Sequence, residues 1–478
     1  MAYTPPSVTV SSIANSRIIN ISEDARLPAI IGTGPEVRTT TDTALARGSA
    51  NFDLLPTSGA AGSVVIAQVA AYPGAPSSDS RWQVTSGTPT HWNASGSGGA
   101  LYWADTEIAG IGKPLLGETY YVSYTQTVPA NQYEPQTFTD SKDVAAFYGS
   151  EETGIKVGVL TGSGSIVTGA NLALENGAPA VIAVQLSNGS SYASSTTWDD
   201  AYQKLEKKDN IAYVVPLASG SVGKLAAHTS GILHVNSQST PVNGHERSLI
   251  VGASAGKTVE NVVTDTTAIA DKRVIYVVPG KELTRTLASG TVITLDGAWA
   301  GAALAGLLTS QDKVITPATG KVIAGLTIPD SQYTPFELNR MANNGALLLT
   351  SRNGIVKVRH GITTDPTDAS TQEISVVAGD DLVRRITRNK LTQRFVGKGI
   401  VIDDATIASV EATVRTIWGA MQRDALIQSF GTRTDPTTGE VPITANRDLS
   451  DPTKINVTGS IRFLFPLNFI NVEFFIFV

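Results

Sequence analysis

The feature that most restricts the fold of this chain is the apolar run FLFPLNFINVEFFIFV at residues 463–478. Successive side chains of a strand point to opposite faces. Ile470, Val472, Phe474, Ile476 and Val478 therefore share one face, with Phe469, Phe475 and Phe477 on the other. Pro466, Asn468, Asn471 and Glu473 interrupt the run, so it reads as strand rather than as a membrane helix of about 20 apolar residues. A strand apolar on both sides must be covered on both sides, because a bare edge of this kind templates aggregation. Four buried Phe side chains contribute about 15–25 kcal/mol gross, at ~150–250 Å² each and ~25 cal/mol per Å². Ordering about ten residues costs roughly 10–20 kcal/mol. The terms nearly cancel, so this tail is expected to be ordered only in an apolar slot with a hydrogen-bond ladder. That slot lies either within the chain or on a neighbour, strand addition being one route to the second. The β-patterned start is another donor candidate: Val8 and Val10 share a face in SVTVSS, and Ile18 and Ile19 follow in RIINIS.

The chain has 478 residues, which suggests two to four domains. Hydrophobic residues at 41% exclude wholesale disorder. Charged residues make up only 16%, which fits a surface packed among other chains. A net charge of −6 argues against a general nucleic-acid binder, which needs clustered Lys and Arg. The absence of Cys excludes disulfides, thiolate catalysis and thiolate metal sites. The start MAYTPPSVTV has neither a basic nor an apolar signal region, so no signal peptide is expected.

Along the chain, residues 1–30 read as an extended arm. Residues 31–150 are rich in Gly, Ser, Thr and Pro, with short alternating runs such as SVVIAQVA, RWQVTSG and TYYVSYTQTV. They read as a small all-β domain in which Tyr120, Val122 and Tyr124 share a face. Residues 151–345 change pattern. Nearly continuous apolar runs (APAVIAVQL, IAYVVPL, RSLIVGA, KRVIYVVPG) alternate with helix-like segments, which predicts a parallel, doubly wound layer. From 346 onward, NGALLLTS, GIVKVRHGITT and TQEISVV read as strands. Helices are expected near 379–396 and 406–429, then two strands broken at Pro466.

VGASAGKT, residues 251–258, falls between a strand and a helix, where α/β proteins often hold chemistry. As a phosphate loop it is one residue short of G-x-x-x-x-G-K-[ST]. As a nucleophile elbow, Gly252 to Gly256 does fit G-x-S-x-G around Ser254, which keeps a Ser254-dependent α/β hydrolase as an alternative. Its triad would need His360, the one downstream His, which sits in a strand-like run. The plainer reading is that small residues let a strand turn tightly into a helix. His91, His228, His234 and His245 show no metal-ligand spacing, so no cofactor or metal is expected. GSGSIVTG (162–169) has the wrong glycine spacing for a dinucleotide loop and reads as a loop. The pairs Asp199-Asp200, Asp380-Asp381 and Asp403-Asp404 are expected to complement helix starts. Arg384, Arg385, Arg388, Lys390 and Arg394 form a local basic excess, either a solvated face or one meeting an acidic partner.

RVIYVVPG, DGAWAGAALAGLLTSQD, NGALLLTSRNGIVKVRHGITT, TQEISVVAGDDLVRRITRNKLTQRFVGKG, VEATVRTIWGAMQRDALIQSF and KINVTGSIRFLFPLNFINVEFFIFV together resemble, in order, the core of contractile phage (myovirus) tail sheath proteins. The resemblance covers about the last 280 residues. ETYYVSYTQTV before YGS is similar to the stretch entering the core in larger sheath proteins, whereas 31–150 match poorly. The resemblance implies an α+β multidomain fold: α/β sandwich core domains, a β-rich outer insertion domain and extended N- and C-terminal strand-donating arms. On this chain these would be an arm and core entry (1–30), a variable outer domain (31–150), an α/β domain (151–345) and a C-terminal core (346–478) ending in the donated arm 466–478. Receiving strands are expected near 355–362, 373–378 and 455–463. The resemblance also implies a non-enzymatic, cofactor-free subunit that polymerises with itself around an inner tail tube and contracts by rigid-body rearrangement. Gly459 and Pro466 would flank flexible joints. Its partners would be other copies, the inner tube protein, and baseplate and tail terminator proteins, with no direct nucleic acid and no membrane insertion. A helix of the C-terminal region would meet the tube, with Arg384, Arg385 and Arg388 the leading candidates. Assembly would occur in the host bacterial cytoplasm and the product would reside in the virion tail; a sheath of a bacterial contractile injection system is the alternative owner.

Overall fold

A computed structural model describes residues 26–34, individual strands between 37 and 127, and nearly all of 130–466. Short stretches at 35–36, 128–129, 152–154, 157–158, 161–164, 188–193, 219–220, 331 and 435–438 lie outside the described residues. So do 1–25, 467–478 and most of 47–118 between the strands, and with them both expected donor arms and RWQVTSG.

An eight-stranded sheet organises the fold. Its order is Ile355–Val358, Ala346–Arg352, Val274–Val278, Ser248–Gly252, Ile211–Pro216, Leu27–Gly32, Val181–Gln185, Gln136–Phe138. The six inner strands run parallel, and an antiparallel strand closes each side. Each inner strand divides its side chains between two cores. Ile30, Val215, Ile250, Ile275, Val277 and Leu347 enter one, under the helices Ser165–Glu175 and Gly297–Thr309. Ile31, Val214, Leu249, Val251, Tyr276 and Leu348 enter the other, under Ser195–Leu205, Ser221–Gln238, Val259–Ile269 and Pro335–Asn343. Burial on both faces explains why these strands read as unbroken apolar runs. The expected doubly wound layer is present.

The layer extends beyond 151–345. Leu27–Gly32 sits in its middle, buried on both faces, so residues assigned to an N-terminal arm supply a central strand. Its sequence LPAIIG is as apolar as its neighbours, but Pro28 obscures that reading. The register shifts between Leu27 and Pro28, which accommodates a residue with no N–H to donate. Gln136–Phe138 and Ala346–Val358 join from the other flanking regions.

Between residues 37 and 127 the described strands form two three-stranded antiparallel sheets. One is centred on Thr119–Thr127, flanked by Val37–Ala46 and Val64–Ala70. The other is centred on Ala100–Trp103. Tyr120 and Val122 are both buried, as their shared face predicts.

Three local expectations are corrected. TQEISVV is not a strand: Asp368 caps a short helix at Ala369–Gln372, and Ile374–Phe395 is helical. The β-branched run Ile374, Val376, Val377 suggests strand, but these side chains bury among helices and the sheet, and tertiary packing overrides propensity. The end of GSGSIVTG is helical from Ser165. Of the acidic pairs, only Asp403 caps a helix, accepting from Thr406 N at 2.7 Å. Asp199 and Asp200 lie inside Ser195–Leu205, and Asp381 lies mid-helix in a buried ion pair.

Candidate assembly surface

The segment that invites an enzymatic reading is a structural junction. Gly252 ends a strand where a Cβ would lie 1.9 Å from the Gly297 carbonyl carbon, so the helix starting at Gly297 seats directly on it. Four backbone N–H groups of the segment are already engaged. Ala253 donates to Val277 O at 2.8 Å, Gly256 to Gly280 O at 3.2 Å, and Lys257 to Ser254 O at 3.3 Å. Ala255 donates to Asp296 Oδ1 at 3.0 Å. These donors are closed to a phosphate or an oxyanion. Lys257 is held by Asp265 and the Tyr276 hydroxyl. His360 Nε2 lies 2.7 Å from Glu373 Oε1. Among the described residues no group of three or more His, Cys, Asp or Glu could hold a metal ion, and no helix is long and apolar enough to cross a membrane.

The opposite, N-terminal ends of the inner strands carry a charged seam. Arg26, Arg247 and Arg273 each stand one residue before a strand. Arg26 and Arg273 border the helix Ile374–Phe395, on which Asp381, Arg385 and Arg388 share a face by i, i+4, i+7 spacing. Arg273 holds Asp381 through two bonds of 3.0 and 2.9 Å. Arg388 pairs with Glu246, and Arg385 donates to the Glu246 carbonyl at 2.8 Å. Burial pushes the Asp381 carboxyl up, and the Arg273 guanidinium draws it back down. Of the basic residues expected to meet a partner, Arg385 is buried and Arg388 is engaged by Glu246 within this chain. Arg384 is half-exposed and pairs with Asp380 four residues before it.

The far side of that helix packs on Asp404–Arg423 through Val383, Ile417, Met421 and Ile427, with Trp418, Phe430, Ile461 and Phe463 partly buried around them. Two short antiparallel ladders complete this region: Ser429–Phe430 with Ile461–Arg462, and Thr444–Arg447 with Ile455–Thr458. Among the described residues each ladder has two strands, which is marginal for an isolated sheet. Strands at 355–358 and within 455–463 occur as expected; 373–378 does not supply one. Gly459 has a packing reason, since a Cβ there would meet the Trp418 ring at 2.9 Å. Large apolar side chains stand exposed nearby: Val396, Val401, Val441, Leu449 and Phe465. Exposed apolar side chains in a region of two-stranded ladders are the kind of surface that takes a partner.

Fold and surface therefore define a large mixed α/β protein with one dominant sheet and exposed apolar side chains in its C-terminal region. No family model matches the chain. In sequence it is 28% identical over 365 residues to the tail sheath protein of Mycobacterium phage Bxz1, across 75% of this chain and 58% of that protein. It is 23% identical over 255 residues to a putative tail sheath protein of Enterococcus phage phiEF24C, across 51% of this chain and 42% of that one. The chain thus spans about half the length of the curated relatives it matches. In fold it is similar to the anti-feeding prophage helical sheath in its contracted state, with a TM-score of 0.52 at 11% identity, over 73% of this chain and 89% of that chain. It is also similar to the PVC sheath complex of an extracellular contractile injection system, with a TM-score of 0.52 at 14% identity, over 72% and 88%. In sequence the chain is thus similar to phage tail sheath proteins, as its motifs suggest, and in fold to contractile sheath subunits.

Proposed function

We propose that this chain is a structural subunit of a contractile tail sheath. It polymerises around an inner tube and contracts by rigid-body rearrangement of whole subunits, driving the tube through the host envelope. The observation that carries this reading is the sequence relationship to a phage tail sheath protein over three quarters of the chain. The buried double core supports it, because a layer packed on both faces can move as one body. Open ladders and exposed apolar side chains in the C-terminal region support a polymerising role. On this reading the arms 7–21 and 466–478, with Val8, Val10, Ile18, Ile19, Phe469, Ile470, Val472, Phe474, Ile476 and Val478, add strands to neighbouring copies. Arg384, half-exposed on the Ile374–Phe395 helix, is the best placed of the three arginines to meet the tube. Residues 31–150 decorate the outside. The partners are other copies, the tube protein, and baseplate and tail terminator proteins; assembly is in the host bacterial cytoplasm and residence in the virion. Both sequence relatives are phage proteins, which favours a phage tail over a bacterial injection machine.

Electron microscopy of the purified protein tests the reading. Rings or tubes are expected, and deletion of 466–478 leaves a folded chain that no longer polymerises. Normal tubes from the truncated chain refute strand addition by this tail. A dispersed protein labelled by a serine-reactive phosphonate, with labelling lost in Ser254→Ala, restores the hydrolase alternative.

A further inference from the structure

At the charged seam the guanidiniums outnumber the carboxylates. Arg26, Arg247, Arg273, Arg385 and Arg388 meet there, against Asp209, Glu246 and Asp381. The Arg384–Asp380 pair beside them neutralises itself, and Glu206 attracts Arg247 only as a minor influence. Asp381 is taken by Arg273 and Glu246 by Arg388. Arg247 turns to neutral acceptors, the carbonyls of Leu205, Lys208 and His245. Arg385 is only 8% exposed, yet its hydrogen bond goes to a backbone carbonyl, and it has no carboxylate partner among the described ion pairs. Burial depresses its proton affinity, and Glu246 and Asp381 pull the other way while bonded to other arginines. A buried guanidinium that only shares counter-charges already bonded to other arginines is costly.

Arg385 and Arg388 line a pocket of about 520 Å³ that also holds Asn243 and Asn389, with Asp209 paired to His245 at 3.2 Å. Arg385 bonds the Glu246 carbonyl through Nη2 alone, and Arg388 shares its fork with Glu246, so the two cations beside carboxamide groups suit the planar or tetrahedral oxygens of an oxyanion. We propose that this pocket is an oxyanion site in which Arg385 and Arg388 hold a phosphate-, sulfate- or carboxylate-type group. The group has two sources, a free anion in solution or an acidic side chain of another copy. The site itself is independent of the sheath reading; only the choice of source rests on it.

The test is calorimetric titration of the full-length, unassembled chain with inorganic phosphate at constant ionic strength, with chloride as control. Saturable phosphate binding is expected. Removing Arg385 risks the fold, so the informative variants are Arg388→Gln and Asn389→Glu. The first weakens binding about tenfold or more. The second places a tethered carboxylate in the pocket, abolishes phosphate binding and raises the melting temperature in phosphate-free buffer. Assembled polymer that still binds phosphate assigns the site to a free anion; polymer that does not, when the unassembled chain does, assigns it to a neighbour's carboxylate. If the unassembled chain prefers phosphate no more than chloride, or both variants bind as the parent does, the proposal is overturned.

Discussion

Asp381→Asn is the sharpest probe of how the C-terminal region is fastened to the sheet. The substitution keeps the side chain's size and removes its charge. Arg273 then stands buried, with a side chain only 6% exposed and its two bonds of 2.9 and 3.0 Å reduced to one acceptor. At about 4 Å between charge centres and an effective dielectric near 20, the lost attraction is roughly 4 kcal/mol. Removing one partner of a buried pair typically costs about 3–5 kcal/mol, because the other charge stays behind. Replacing both, as Arg273→Met with Asp381→Leu, recovers most of that loss. The cost falls on the joint between the Ile374–Phe395 helix and the sheet, so the assay is amide hydrogen exchange along that helix. Protection at residues around Asp381 falls by about two to three orders of magnitude in the single variant and returns in the double. An unchanged exchange profile in Asp381→Asn, or a double variant as weak as the single, refutes the clamp.

Gly252→Ala drives a Cβ to within 2.0 Å of the Gly297 carbonyl carbon and Ala298 nitrogen, both backbone atoms that cannot rotate away. It destabilises by about 3 kcal/mol or more in denaturant unfolding, and a loss under about 1 kcal/mol contradicts the junction described here. His234 is held neutral by burial, with Arg247 adding to the effect, and its pKa is lowered to about 3. The unfolded chain therefore takes up a proton before the folded one does, and stability is lost as pH falls from about 6.5 toward 3. His234→Gln removes that component; urea midpoints at pH 7 and pH 5 differ less in the variant than in the parent, and equal differences contradict the assignment.

Much of this fold is legible in the sequence where one physical rule dominates. The strands at Val181, Ile211, Ser248 and Val274 are apolar throughout because both their faces are buried, and nothing local competes with that pattern. The strand at Leu27 is missed because its partners lie more than 150 residues away and Pro28 argues against it. The helix expected from 379 starts earlier, at Ile374, and that first turn is missed for the opposite reason: its β-branched residues mimic a strand, and only packing decides. At the seam, the basic cluster is visible as charge, and the face shared by Asp381, Arg385 and Arg388 follows from helical spacing. Their partners, Arg273 and Glu246, are over 100 residues distant, so no local pattern separates a buried clamp from a solvated face. Small-residue spacing around Ser254 imitates a nucleophile elbow because both need a tight strand-to-helix turn.

The most direct measurement of the proposed role is a cryo-electron reconstruction of the purified polymer that follows residues 467–478. These residues are expected to add a strand to the C-terminal ladders of an adjoining copy, with Phe474 and Ile476 covered there. A reconstruction in which the same residues fold back into their own subunit, or a preparation that yields no polymer at all, contradicts it.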